Sequence, residues 1–348
     1  MSDSEDFARL SDPFRRELLA HCYRMLGSVH EAEDLVQETF LRAWRSYREF
    51  DGSRASMRTW LYRIATNACL TALEHRSRRP LPSSLGAPAE DPEGPLDAPQ
   101  REVAWLQPIP DALLAMPGDP AMIVVARDSI RLAFIAALQH LPARQRAVLI
   151  LRDVLAMRAA EVAGLLGTTT TAVNSALQRA RVQLEQVAPA EDEVAEPGDA
   201  SQRELVDRYV AAFENADVTA LTGLLRADVV LEMPPLPTWF TGAEAFGRFY
   251  AFRVFAVPDA WRVIPAGANG QPAFALYKRA DDGVHRAHSV VVLTIAGAGI
   301  ARVVAFADPR LFPSFGLPQT HPATARAAAR RLRRVRPAEG RVRLSRAR

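Results

Sequence analysis

Apolar residues recur at steps of three and four through residues 7–79; Ala32, Leu35, Val36, Phe40, Ala43, Trp44 and Tyr47 fall on one stripe. That spacing predicts amphipathic helices with a buried stripe. Residues 128–187 repeat the helical period. From residue 201 the pattern changes. A helix carrying Leu205, Tyr209, Ala212 and Phe213 gives way to strand-like runs at 229–233, 271–279, 284–295 and 300–306. Asp281-Asp282-Gly283 and Gly297-Ala298-Gly299 are turn sequences that would join the last three runs as antiparallel neighbours. The chain reads as two all-α domains followed by an α+β domain.

Breaks in the pattern set the boundaries. Ten prolines lie between Pro80 and Pro120, and the stretch reads as a long extended linker, since proline removes a backbone donor and fixes φ. The divisions are a helical domain over 1–79, a Pro-rich linker over 80–125, a second helical domain over 126–187, a short acidic linker over 188–200, and the α+β domain over 201–318. An Arg-rich tail, read as a disordered terminus, covers 319–348.

Charge sharpens this picture. The net charge of +3 conceals ten arginines against the single acid Glu339 in residues 322–348, which leaves the preceding 321 residues at −6. The body is therefore no general nucleic-acid coat, and DNA contact must come from local faces. Cys22 and Cys69 lack metal-site or redox-pair spacing and read as core thiols. No apolar run reaches the roughly 20 residues of a membrane span, so the expected location is the cytoplasm. No metal or cofactor is implied.

Three constellations carry chemistry. Arg158 to Leu166, then Gly167, then Thr168 to Arg181, form a helix, a glycine turn and a threonine-capped second helix. Val173, Leu177, Ala180 and Leu184 would point inward. Thr171, Asn174, Ser175, Gln178, Arg179 and Arg181 would point outward, as base reading and phosphate holding require; the plainer reading is a helical hairpin with a solvated face. Glu31, Glu33, Asp34, Gln37 and Glu38 form an acidic helix face, suited to solvent or a basic protein. Trp60, Arg63, Asn67 and Thr71 share another face, suited to stacking on unpaired bases or to a half-buried tryptophan in a bundle.

The wording of these segments resembles the sigma-70 family. Glu31-Ala-Glu-Asp-Leu-Val-Gln-Glu-Thr-Phe-Leu-Arg-Ala-Trp44 resembles its second conserved region. Arg58-Thr-Trp-Leu-Tyr-Arg-Ile-Ala-Thr-Asn67 resembles the segment that melts and reads the −10 element. Leu141-Pro-Ala-Arg-Gln-Arg-Ala-Val-Leu149 with the helix-turn-helix resembles the −35 reader. The motifs cover about 1–187 and, lacking the regions between, point to the compact extracytoplasmic-function type. The resemblance implies core RNA polymerase and promoter DNA as partners, and leaves room for an anti-sigma protein. It implies that Asp34, Gln37 and Glu38 meet the polymerase and that Trp60, Arg63 and Asn67 hold melted strand. The loop from Tyr47 to Ser56 resembles one that captures a flipped base, with Tyr47, Phe50 and Arg54 as pocket candidates. Trp105-Leu-Gln-Pro-Ile-Pro-Asp111 resembles a linker motif of members bearing a C-terminal domain, where it would lie along the polymerase channel.

Residues 201–316 resemble the SnoaL-like fold, a cone of curved sheet around a pocket, on Met233-Pro-Pro-Leu-Pro-Thr-Trp-Phe-Thr-Gly242 and Phe306-Ala-Asp-Pro309. Catalytic members use a carboxylate or histidine inside the cone; Asp228, Glu232, His285, His288 and Asp308 are available, and no pair shows a spacing that demands catalysis. The expectation is a regulatory domain rather than an enzyme, with a cone that could take a small ligand. Its expected contact segment runs from Asp308 to Leu317, through Pro309, Leu311 and Phe312, docking on 128–187 or across both helical domains. The Arg-rich tail could add phosphate attraction. A stand-alone helix-turn-helix regulator leaves the 31–79 motifs unexplained. A SnoaL-like enzyme with a helical appendage leaves all of 1–187 unexplained.

Overall fold

The computed structural model describes residues 3–53, 55–74, 78–114, 128–187 and 200–321. Arg54, the acidic linker and the Arg-rich tail lie outside the described residues, apart from the tail's first three positions.

The first helical domain comprises α1 (Asp3–Ser11), α2 (Arg15–Leu26), α3 (Val29–Arg45) and α4 (Met57–Leu73). Gly27 ends α2 at φ +66°, its N–H bonded to Tyr23 O at 2.7 Å, a left-handed cap that glycine adopts without penalty. Ser28 then caps α3 by accepting from Glu31 N at 3.3 Å, and Ser56 caps α4 by accepting from Thr59 N at 3.1 Å. Leu18, Tyr23, Met25, Val29, Leu61 and Tyr62 fill the middle of the bundle and are sealed from solvent.

The second helical domain comprises α5 (Leu132–Leu138), α6 (Ala143–Leu149), α7 (Ala159–Leu166) and α8 (Thr170–Val187). Gly167, at φ +63°, makes the turn between α7 and α8, and Thr169 Oγ1 accepts from Ala172 N at 3.2 Å at the start of α8. Val173, Leu177 and Ala180 are buried as their spacing predicts; Leu184 is half-buried.

The C-terminal domain sets α9 (Ala200–Glu214), α10 (Val218–Thr222) and α11 (Ala243–Phe249) against a sheet of β1 (Leu225–Glu232), β2 (Trp239–Thr241), β3 (Trp261–Ala268), β4 (Gln271–Arg279), β5 (His285–Ala296) and β6 (Gly299–Phe306). The strand order is β2-β1-β6-β5-β4-β3. Among the described strands the β1–β6 pair is parallel and the other four pairs are antiparallel. The expected α+β cone is present, and the sequence runs correspond to β1, β4, β5 and β6. The edge strand β3 was not legible. Pro265 and the small residues Ala266 to Ala268 interrupt its apolar alternation, and an edge position is where a sheet tolerates proline.

The two faces of this sheet do different work. Phe274, Leu276, Val291, Leu293 and Val303 face the cone helices. Ala273, Ala275, Tyr277, Val290, Val292, Val304 and Phe306 belong to the same apolar core as both helical domains. The Pro-rich linker, expected to be extended, enters that shared core at both ends of its described part, through Leu81, Leu106 and Ile109; between them it runs mostly exposed, with Ala89 and Leu96 against the cone's own core. Its prolines remove donors, so few unpaired N–H groups oppose burial. A Cβ at Gly27 would lie 2.7 Å from Leu106 Cδ1, so the segment is seated closely against the end of α2.

Candidate nucleic-acid interface and interdomain junction

Asp34 and Gln37 are exposed and Glu38 is half-exposed on α3. Glu38 also accepts from Arg42 Nε at 2.7 Å one helical turn on. Exposed Leu41 and Trp44 continue this face; the sequence reading gave Leu41 no role and placed Trp44 on the buried stripe, which its exposure corrects.

An aromatic row runs from α3 to α4. Trp44 and Tyr47 lie near-parallel at 6.3 Å, Tyr47 and Phe50 near-parallel at 6.5 Å, and Phe50 tilts against Trp60 at 4.8 Å. All four rings are partly exposed, and Arg63 and Asn67 stand exposed further along α4. The five described residues expected at the −10 site therefore comprise a row of Tyr47, Phe50 and Trp60 with Arg63 and Asn67 beyond; Arg54, the sixth expected member, is outside the described residues.

On α8, Thr171, Asn174, Ser175, Gln178, Arg179 and Arg181 are all exposed, and nothing from the cone covers them among the described residues. Arg181 is nonetheless engaged. Its Nε and Nη2 donate to Asp153 Oδ2 and Oδ1 at 2.8 and 2.7 Å, so reaching a phosphate means leaving a bidentate partner. Among the described residues no carboxylate holds Arg179 in this way, and it is the freer cation of the two.

The densest polar construction lies elsewhere, at the tip of the β3–β4 hairpin. Asn269 and Gly270 both have left-handed backbones, φ +59° and +65°, the conformation that two-residue hairpin turns require. Asn269 is fully buried. Its Nδ2 donates to Tyr23 Oη of α2 and to Ile130 O ahead of α5, both at 2.8 Å. Its Oδ1 accepts from Ile109 N of the linker at 3.1 Å, and its own N–H donates to Ile109 O at 3.0 Å. One side chain thus joins both helical domains, the linker and the cone. Around it, Asp111 accepts from Gly270 N at 2.7 Å, Gln271 Oε1 accepts from Leu132 N at 2.9 Å, and Tyr23 Oη donates to Gln107 O at 2.7 Å.

The helical domains also meet directly through two arginines. Arg24 of α2 donates to Ser129 O and Oγ at 3.2 and 2.9 Å. Arg146 of α6 donates to Met25 O, to Gln139 and to Leu141 O. Burial pulls both guanidinium groups down to about 10, because desolvation disfavours the charged form. The closed arrangement therefore holds two desolvated cations on neutral acceptors, an arrangement that rehydration opposes.

The expected regulatory segment takes a different neighbour from the one first in line. Asp308 caps the turn Pro309–Leu311 and pairs with Arg310 at 2.9 Å; Leu311 and Phe312 are buried in the shared core. Its polar contacts are with α3: Arg310 O meets His30 Nε2 at 3.2 Å, and Ser314 Oγ donates to Glu33 Oε2 at 3.3 Å. The segment thus lies against the acidic helix of the first domain, and the hairpin tip is what reaches residues 128–187.

The five titratable candidates of the cone do not converge. Asp228 is paired with Arg226 at the surface. Glu232 is buried on the outer sheet face, bonded to Arg302 and accepting from Ser83 N at 2.8 Å. His285 meets Asp259 O at 3.1 Å, and His288, edge-on to Trp261 at 5.0 Å, is pushed down to about 4 by burial. Asp308 lies in the turn already described. The side of the sheet facing the cone helices is filled by Tyr209, Phe213, Phe240, Phe246, Tyr250 and Phe274, with the Tyr209 and Tyr250 hydroxyls 3.4 Å apart. Among the described residues, that aromatic packing holds none of the five candidates.

Comparison with known proteins agrees with this division. The family model Sigma-70 region 2 matches residues 10–79, and Sigma-70, region 4 matches residues 131–184. The ECF RNA polymerase sigma factor SigG of Mycobacterium tuberculosis is 54% identical over 317 residues, covering 90% of this chain and 85% of that protein. SigW of Bacillus subtilis is 32% identical over 182 residues, covering 52% of this chain and 88% of its own. The crystal structure of the Mycobacterium tuberculosis extracytoplasmic function sigma factor SigJ shares the fold, with a TM-score of 0.57 at 24% identity, covering 91% of this chain and all of that one.

Proposed function

The chain belongs to the extracytoplasmic-function sigma factors of RNA polymerase, and from that premise we propose how its residues divide the work and what the third domain does. Asp34, Gln37 and Glu38, with Leu41 and Trp44 beside them, form the surface that docks on basic helices of core polymerase in the cytoplasm. Tyr47, Phe50, Trp60, Arg63 and Asn67 receive the melted −10 strand, where each stacked base is worth about 1–3 kcal/mol. Thr171, Asn174, Ser175 and Gln178 read the −35 base edges, with Arg179 on phosphate and Arg181 joining it once Asp153 is released.

The cone acts as an internal clamp. The observation that carries this reading is Asn269, whose one side chain bridges α2, the linker and the approach to α5. Promoter reading needs the two helical domains on separate elements of one duplex, with the linker running between them. The structure instead packs both domains and the linker into one core with the outer face of the sheet. Polymerase and promoter must supply the free energy that parts them, and the clamp sets how much.

The docking assignment has its own test. Reversing charge in Asp34→Lys/Glu38→Lys is expected to weaken binding to core polymerase by roughly tenfold or more at low salt, with the difference shrinking as salt screens the pair. Titration of core polymerase at several ionic strengths reads this. Equal affinity of parent and variant across the salt series would place the docking surface elsewhere.

A further inference from the structure

Tyr47 carries more constraint than stacking requires. Its hydroxyl donates to Asp6 Oδ2 at 2.7 Å, and the other oxygen of Asp6 takes Arg9 Nη2 at 2.6 Å. Phe7, the next residue of α1 and itself buried, lies edge-on to Tyr47 at 5.2 Å and tilted against Trp44 at 5.5 Å. Arg48, beside Tyr47, pairs with Asp3 at 3.3 Å. The first turn of α1 thus fixes the position of the Tyr47 ring and the direction of its hydroxyl proton. Hydrogen bonding from Tyr47, with Arg9 second, holds the Asp6 carboxyl below its ordinary range, and the same bond raises the Tyr47 phenol. The bond therefore stays in one sense at neutral pH.

A phenol has a single proton to give. With that proton committed to a carboxylate, which can only accept, the Tyr47 oxygen offers lone pairs and nothing else. We propose that Asp6 is a specificity-determining positioning residue: by taking the Tyr47 proton it turns the phenol into an acceptor, so that the base lodged beside Tyr47 is one bearing an exocyclic amino group. Cytosine N4, adenine N6 and guanine N2 are such donors, whereas an unpaired thymine offers only its ring N3–H, set between two carbonyl oxygens whose lone pairs oppose those of the phenol, and is the poorest partner. Asp6 touches no base; it acts through Tyr47. The inference rests on the assignment of Tyr47 to the melted −10 strand and adds which edge that site reads.

The test uses the full-length chain bound to core RNA polymerase, with non-template-strand oligonucleotides spanning the −10 element of its own promoter. Each position in turn carries each of the four bases. The parent should show one position at which amino-bearing bases bind roughly five- to tenfold better than thymine, the worth of one hydrogen bond partly open to solvent. Asp6→Ala, which frees the hydroxyl to donate, should bring the four bases at that position within about twofold while leaving the ranking elsewhere unchanged. Tyr47→Phe should do the same. Asp6→Asn, whose amide oxygen still accepts from the phenol, should keep the preference. Loss of affinity for all four bases alike in Asp6→Ala would overturn the proposal, since α1 would then only brace the loop. An amino preference that survives both Asp6→Ala and Tyr47→Phe would overturn it as well. Tyr47→Ala separates this from the parent assignment: if it binds every oligonucleotide as the parent does, the −10 assignment itself is wrong; if it binds weakly while Asp6→Ala keeps the preference, only the role of Asp6 fails.

Discussion

Asn269→Ala is expected to tip the protein toward its opened form and to raise both its affinity for core polymerase and its transcript yield. The substitution removes a fully buried amide and leaves Ile109 N, Ile130 O and Tyr23 Oη each without one partner. A buried donor or acceptor left unpaired costs about 1–3 kcal/mol, and alanine pays a further ~1 kcal/mol in the left-handed backbone that Asn269 occupies at φ +59°. Relaxation around the smaller side chain recovers part of this cost within the closed form, and the rest is relieved only when the groups rehydrate on opening, so a shift of about 3 kcal/mol in favour of the open form is expected, roughly 150-fold in the ratio of the two forms. The binding isotherm for core polymerase and the run-off yield at limiting protein both read it. Gly270→Ala would strain the same turn but keep the amide, and should give a smaller shift. Unchanged affinity and yield in Asn269→Ala would show that the junction does not restrain the helical domains.

The second large effect concerns Arg302. Glu232 is fully buried on the outer face of the sheet, and Arg302 is its cationic partner, with Ser83 N of the linker on its other oxygen. Arg302→Met strands a carboxylate away from water and is expected to destabilise the cone and its hold on the linker by about 3–5 kcal/mol, the range for breaking a buried ion pair. Glu232→Gln combined with Arg302→Met removes the stranded charge and should recover much of that loss. Thermal or urea unfolding of the three proteins decides the matter. Equal stability of Arg302→Met and the parent would mean that solvent reaches Glu232 and that the linker is not held through it.

Much of the architecture was open to reading from residue spacing. The α3 stripe from Ala32 to Ala43, the glycine turn at Gly167, the inward set Val173, Leu177 and Ala180, and the turns at Gly283 and Gly297 all follow from local periodicity and backbone preference. Exposure of the α8 face is legible for the same reason, since it is the complement of the buried stripe. What spacing does not carry is which surfaces meet across domains. Asn269-Gly270 is a plain hairpin turn in sequence, and a turn asparagine is ordinarily solvated, so no local signal marks it as buried between three segments. Nothing in the spacing marks Arg24 and Arg146 as buried. Their burial depends on carbonyl and amide oxygens from Ser129, Met25 and Gln139, residues 7 to 121 positions away. Arg181 reads as a phosphate ligand because Asp153, which holds it, lies 28 residues back in another element. The linker was the nearest miss: Trp105, Leu106 and Ile109 are apolar enough to announce burial, but the prolines around them argued for extension. The short strand β2 and the Pro- and Ala-rich strand β3 lack the alternation that a face-down strand displays, and they lie at the two edges of the sheet.

The clamp is tested most directly by the separation of the two helical domains in the free and polymerase-bound protein. Arg16 on α2 and Glu185 on α8 are exposed, whereas the native thiols of Cys22 and Cys69 are buried, so Arg16→Cys/Glu185→Cys accepts a dye pair without competing sites. Energy transfer between the dyes should report one short distance in the free chain, a lengthened one on adding core polymerase, and a lengthened fraction already present in the free Asn269→Ala form. A single distance common to the free chain, the polymerase complex and the Asn269→Ala protein would contradict the account.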